Sequence, residues 1–99
     1  MMDYPIVHNP SKGQFELTIE GKNAVVNYFL SNDTMTITHT YVPHSLEGRG
    51  IGSALASYVL NYAMENHFKV IPACSFIRVY LDRHPQYAPL RMDNDQPKR

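Results

Sequence analysis

Residues 34–72, TMTITHTYVPHSLEGRGIGSALASYVLNYAMENHFKVIP, change their period twice, and those changes set the architecture. From Thr34 to Val42 the chain alternates. Met35, Ile37, His39 and Tyr41 fall on one side and Thr36, Thr38, Thr40 and Val42 on the other, as in a strand. Beyond Pro43 and the loop SLEGRG, apolar residues recur at Ile51, Ala54, Leu55, Tyr58, Val59, Tyr62 and Ala63, the spacing of one helical face. Asn66 is expected to take a left-handed C-terminal cap, with His67 just past it. Lys69 to Pro72 reads as a short strand whose proline limits pairing at that end. Strand 34–42, helix 51–66 and strand 69–72 thus form a strand–helix–strand unit with the two strands parallel and joined by a right-handed crossover. Their carboxyl ends lie side by side, and open sheets tend to bind ligands just outside such ends. The glycine loop and Cys74 both fall at that edge.

Upstream, Gln14 to Glu20 alternates strictly, with Phe15, Leu17 and Ile19 on the apolar side. Gly21 supplies a turn, and Asn23 to Leu30, apolar on both faces, predicts a central strand. Ser31-Asn32-Asp33 is the next turn, so three antiparallel strands follow one another as a meander. The opening MMDYPIVHNPSK has two prolines and no sustained period and reads as an irregular lead-in. Downstream, Ser75 is expected to cap a short helix carrying Phe76, Val79 and Tyr80, which Pro85 stops. The tail DNDQPKR is expected to fray. The predicted fold class is α/β (α+β): a three-stranded antiparallel meander, a helix, a fourth strand parallel to the third, and a short C-terminal helix. One domain spans residues 1–99, with an ordered core over about 13–90.

Ninety-nine residues suit a single domain able to bury roughly 65% of its unfolded surface. With 43% hydrophobic and 18% charged residues, the composition is globular rather than disordered. Nine basic residues balance nine acidic ones, which argues against a nucleic-acid partner. The apolar runs are too short to span a membrane, and no charged-then-apolar leader opens the chain. A lone cysteine excludes an internal disulfide and a cysteine-built zinc site, and no histidine pair has metal-ligand spacing with supporting carboxylates. No metal is expected, and a cytoplasmic location is. An open sheet edge allows a monomer or a weak homodimer.

Gly48-Arg49-Gly50-Ile51-Gly52 runs straight into the long helix. Such an entry is either a tight turn or a phosphate cradle, because helix N-termini present unpaired N–H groups and a positive dipole end. Cys74 is either a small core residue or a nucleophile, since a neighbouring helix N-terminus favours the thiolate. His39 is either a structural histidine on the apolar face or the base serving Cys74. Tyr80, on an amphipathic helix, reads as core.

The stretch Glu47-Gly48-Arg49-Gly50-Ile51-Gly52 resembles motif A of the GNAT superfamily of acyl-CoA-dependent N-acetyltransferases: Arg or Gln, two residues, Gly, any residue, then Gly or Ala. Glu47 stands where that pattern has Arg or Gln. With His39-Thr40 ahead of it and Pro72-Ala73-Cys74 behind, the chain from about Phe15 to Tyr87 resembles the minimal, single-domain branch of that superfamily. The resemblance implies acetyl-CoA (coenzyme A) as acyl donor, with its diphosphate on the N–H groups of Gly48, Arg49, Gly50, Ile51 and Gly52. It implies a pantetheine arm running along Thr40, Tyr41 and Val42. Arg49 would set a charge beside the diphosphate, which Glu47 opposes. The implied activity is acetyl transfer to an amine on a small molecule or a protein, directly or through Cys74 with His39 as base. A non-catalytic CoA-binding or protein-interaction module is the alternative.

Overall fold

The computed structural model describes residues 4–92, so the tail from 93 onward lies outside the described residues. Its order is β1 (Val7–Asn9), β2 (Gln14–Ile19), β3 (Lys22–Ser31), β4 (Thr34–Tyr41), α1 (Ile51–Glu65), β5 (Lys69–Pro72) and α2 (Ser75–Arg83). Short 3-10 turns fill Pro10–Lys12, His44–Leu46 and Pro85–Leu90. The strands form one sheet in sequence order, antiparallel from β1 to β4, with β5 parallel to β4. The strand–helix–strand unit is therefore as expected. The meander gains a strand, however, because β1 lies within the supposed lead-in. Three residues between two prolines are too few to show a period, yet His8 pairs with Phe15 and stacks its ring on it at 4.1 Å.

Both helices cover the same face of the sheet. Phe15, Leu17, Ala24, Val26, Met35, Ile37 and Val70 are buried against Ile51, Leu55, Val59, Leu60 and Ala63 of α1 and Ile77 and Leu81 of α2. Each of these side chains larger than alanine contributes about 1.5–3 kcal/mol on burial, so this one layer holds the fold together. β3 lies mid-sheet but is covered on one face only, and Phe29 remains 55% exposed. Its central place in the sheet is as expected from its doubly apolar sequence.

Two helix ends differ from expectation. The left-handed residue after α1 is His67 (φ 61), with Asn66 as the cap at φ −101. Phe68 N–H donates to Ala63 O and His67 N–H to Met64 O, so the turn closes as a Schellman motif one residue later. In α2 the N-cap is Cys74 rather than Ser75, and the buried face is Ile77 and Leu81. Phe76 and Val79 point outward. The sheet and the Pro85–Leu90 turn, which buries Tyr87 and Leu90, decide which face α2 turns inward.

A β-bulge shapes the ligand edge. Tyr28 opposes Ile37, but Asn27 opposes His39, leaving Thr38 as an extra residue. The two-residue period therefore resets. Beyond it Thr40 stands opposite buried Val26, on the helix-covered face, while His39 and Tyr41 stand opposite Asn27 and Val25 on the open face. The strict alternation expected from the sequence had grouped His39 with Met35 and Ile37. At the same level β4 and β5 part. Their pairing ends at Ile37 and Pro72, and Ala73 N–H closes it by donating to Ile37 O at 3.0 Å. β4 runs on to Tyr41 with no β5 residue beside it, and the other chain turns into α2.

Candidate functional site

The parted strand ends open onto the start of α1. Leu46, fully buried, pins the loop to the core, and the loop then turns through Gly48 (φ 84) and Gly50 (φ 75). A positive φ of that size is strained for any residue with a β-carbon, which is why glycine stands at both positions. Gly50 is the N-cap of α1 and no side chain caps the helix. The first helical bond runs from Ala54 N–H to Gly50 O, so the N–H groups of Ile51, Gly52 and Ser53 precede the ladder.

These groups border a cleft of about 510 Å³, a size suited to a small-molecule ligand. Thr40, Tyr41 and Val42 form one wall, the loop from Leu46 to Gly50 another, and Ile51, Gly52 and Ser53 the floor, with Phe76 of α2 opposite. A β-carbon at Gly52 would come within 3.0 Å of Phe76 Cζ, so helix and ring meet closely there. Thr40, Tyr41, Val42, Gly48, Gly50, Ile51 and Gly52, singled out from the sequence, thus gather around one opening.

Arg49 is placed differently. Its guanidinium turns to Glu20, with Nη1 donating to Oε2 at 3.1 Å and Nη2 to Oε1 at 3.4 Å. Its carbonyl accepts from Tyr4 Oη at 2.6 Å. The hydrogen bonds from Arg49, and its charge, hold the Glu20 carboxyl below the usual carboxylate range, and the same contacts raise Arg49. The charge beside the opening is Glu47, which meets His44 Nδ1 at 3.3 Å in an exposed pair. Arg49 therefore does not stand as the expected cation on the cleft.

Cys74 lies half-buried at the N-cap of α2, where β4 and β5 separate. Its Sγ is 3.3 Å from Oγ1 of Thr40, which itself lines the cleft. His39, exposed on the open face, is not brought to Cys74. Tyr80 stacks on His84 at 3.8 Å and, behind the cleft, on Phe76 at 6.4 Å without itself lining the opening, and burial pushes its phenol up. Phe76, Ser53 and Leu46 border the opening but were not singled out from the sequence. The available signal was an aromatic residue in the first turn of the helix that starts at this edge. Among the described residues, no three His, Cys, Asp or Glu side chains group as metal ligands, and no helix is long and apolar enough to cross a membrane.

The family model of GCN5-related N-acetyl-transferases matches residues 14–90, a span that holds the bulged β4, the glycine loop and Cys74. The chain belongs to this family. It is 29% identical to Protein NATD1 of Xenopus tropicalis over 83 residues, covering 81% of this chain and 76% of that one. With Protein NATD1 of Danio rerio it shares 29% over 87 residues, 83% of this chain and 79% of the other. The solution structure of a GCN5-like protein from Staphylococcus aureus superimposes with a TM-score of 0.72 over the whole of both chains, at 27% identity. GCN5-related N-acetyltransferases generally take acetyl-CoA as co-substrate. The cleft fits such a molecule on its own evidence: two positive-φ glycines, an uncapped helix start and an unpaired strand edge meet at one opening.

Proposed function

We propose that the protein transfers an acetyl group from acetyl-CoA, held in this cleft, to an amine by way of Cys74. The observation that carries the reading is the 3.3 Å contact between Thr40, on the cleft wall, and Cys74 at the strand divergence. N–H groups at Gly48, Gly50 and the first turn of α1 receive the diphosphate, as helix N-termini receive phosphates generally. The open edge of β4 from Thr40 onward offers backbone groups to the amides of the pantetheine arm, in the manner of an added strand. Phe76 closes the apolar side of the opening.

Bound acetyl-CoA supplies an activated carbonyl as a thioester. Cys74 Sγ attacks that carbon, forming a new C–S bond, and the bond to the CoA sulfur breaks. The departing CoA thiolate takes the thiol proton. The amine nitrogen then attacks the acetyl-Cys74 carbonyl, a C–N bond forms, and Cys74 Sγ leaves carrying the proton the amine gives up. Thr40 Oγ1 is positioned to donate a hydrogen bond to the sulfur when it bears charge.

Two measurements test this reading. Acetyl-CoA should raise the melting temperature progressively with concentration, as mass action requires. Intact-mass analysis after incubation should find one acetyl group on Cys74, and Cys74→Ala should abolish it while keeping CoA affinity within a few-fold. An unchanged melting curve at millimolar acetyl-CoA overturns the donor assignment. Full transfer by the alanine variant, with no adduct on the parent protein, leaves direct amine attack as the route. Binding without transfer to any amine identifies a CoA-binding module.

A further inference from the structure

We propose that Tyr4 and Glu20 are positioning residues for the donor loop, acting through Arg49 to hold the N–H groups on either side of it toward the cleft. The inference rests on the donor reading above. Gly48 and Gly50 flank Arg49, and a β-carbon built at either one meets nothing within 4 Å. Glycine adopts either hand of φ readily, so these two residues do little to hold their own conformation. Buried Leu46 and Ile51 fix the two ends of the loop, and Gly50 O accepts from Ala54 N–H, but no side chain packs on the β-carbon positions of the two glycines. Arg49, between them, is the residue that is tied down. Tyr4 Oη donates to its carbonyl at 2.6 Å, and the Glu20 carboxylate takes both ends of its guanidinium.

Both anchors are tied to the rest of the fold. Tyr4 is half-buried and packs against the core cluster. Glu20 (φ 56) and Gly21 (φ 76) form the tight turn between β2 and β3, whose register is closed by Ile19 opposite Lys22. A planar guanidinium on a carboxylate fixes direction as well as distance, which a single charge would not. Tyr4 precedes residues 14–90, the part of the chain the family model covers. A loop held in its binding conformation spares the ligand the cost of ordering it, so the effect belongs in donor affinity and not in the chemical step.

The rival role for Arg49 gives the opposite sign. If Glu20 merely restrained a cation that belongs to the donor, Glu20→Gln would release it and tighten binding. Under the positioning role, Glu20→Gln and Tyr4→Phe each raise the KM for acetyl-CoA about three- to tenfold with kcat unchanged. Tyr4→Phe keeps the ring and removes the hydroxyl, so its melting temperature without ligand should match the parent's. The exchange Glu20→Arg with Arg49→Glu should recover most of the affinity. Unchanged or tighter binding in Glu20→Gln, an unchanged KM in Tyr4→Phe, or a KM rise that tracks loss of the fold in both overturns the proposal. If the parent protein binds no acetyl-CoA, the donor reading fails first and takes this inference with it. If the parent binds and the variants bind equally, only the inference fails.

Discussion

Replacing Gly50 by alanine separates the loop's conformation from the stability of the fold. Gly50 sits at φ 75, and a β-carbon there would touch nothing within 4 Å. The free protein therefore takes on only backbone strain, costing about 1–2 kcal/mol for an L-residue in that region. Alanine also restricts the unfolded chain, which returns about 0.4–1 kcal/mol. The net loss is roughly 1 kcal/mol, which lowers the melting temperature of a domain of this size by about 4–8 °C. Acetyl-CoA binding should fall much further, by tenfold or about 1.4 kcal/mol at the least, because relief of the strain re-aims the loop's N–H groups. Gly52→Ala is the internal control. It occupies ordinary helical φ, gains up to about 1 kcal/mol of helix propensity, and asks the partly exposed Phe76 ring to move a few tenths of an ångström. Its melting temperature should hold or rise, with affinity within a few-fold. Thermal unfolding by circular dichroism, with and without acetyl-CoA, and titration calorimetry measure both quantities. Full affinity in Gly50→Ala, or an equal loss in Gly52→Ala, would refute the assignment of the glycine loop as a backbone cradle.

Glu47→Gln removes the carboxylate at the cleft and should tighten CoA or leave it unchanged; a loss beyond about tenfold would make Glu47 a structural brace of the loop. His39→Asn should leave acetylation of Cys74 unchanged in mass analysis, because the bulge turns His39 to the open face; loss of the adduct would show that His39 reaches the thiol. Burial holds His8 below the usual imidazole range. Below about pH 6.5 the unfolded chain takes up that proton before the folded one, so stability contributed by His8 is present above this pH and is lost as pH falls toward the lowered folded value. Denaturant melts of the parent and His8→Phe from pH 7.5 to about 5 should diverge on the acid side, and parallel curves would count against this role.

The longer periodic elements could be read from the order of residues, whereas the three-residue β1 and the exact helix ends at His67 and Cys74 could not. The alternation in Gln14–Ile19 and Thr34–Ile37 and the helical spacing in Ile51–Ala63 reflect side chains a few positions apart, and their buried partners follow from that. The glycine loop, the open strand edge beside it and Cys74 at the end of β5 were legible for the same reason: a parallel crossover puts carboxyl ends together whatever its details. Around the cleft, three features were not legible because each depends on groups distant in the chain. The extra residue at Thr38 exists only where β4 meets β3, and it exchanged the faces of His39 and Thr40. The inward face of α2 was chosen by the sheet beneath it and by the Pro85–Leu90 turn, which left Phe76 at the cleft. Arg49 found its partner in Glu20, 29 residues earlier, where folding brings a carboxylate within reach of the guanidinium. Hydrophobic periodicity records which side of an element is buried, while register, bulges and ion pairs record which elements meet, and that second kind of information appears only once the chain has folded.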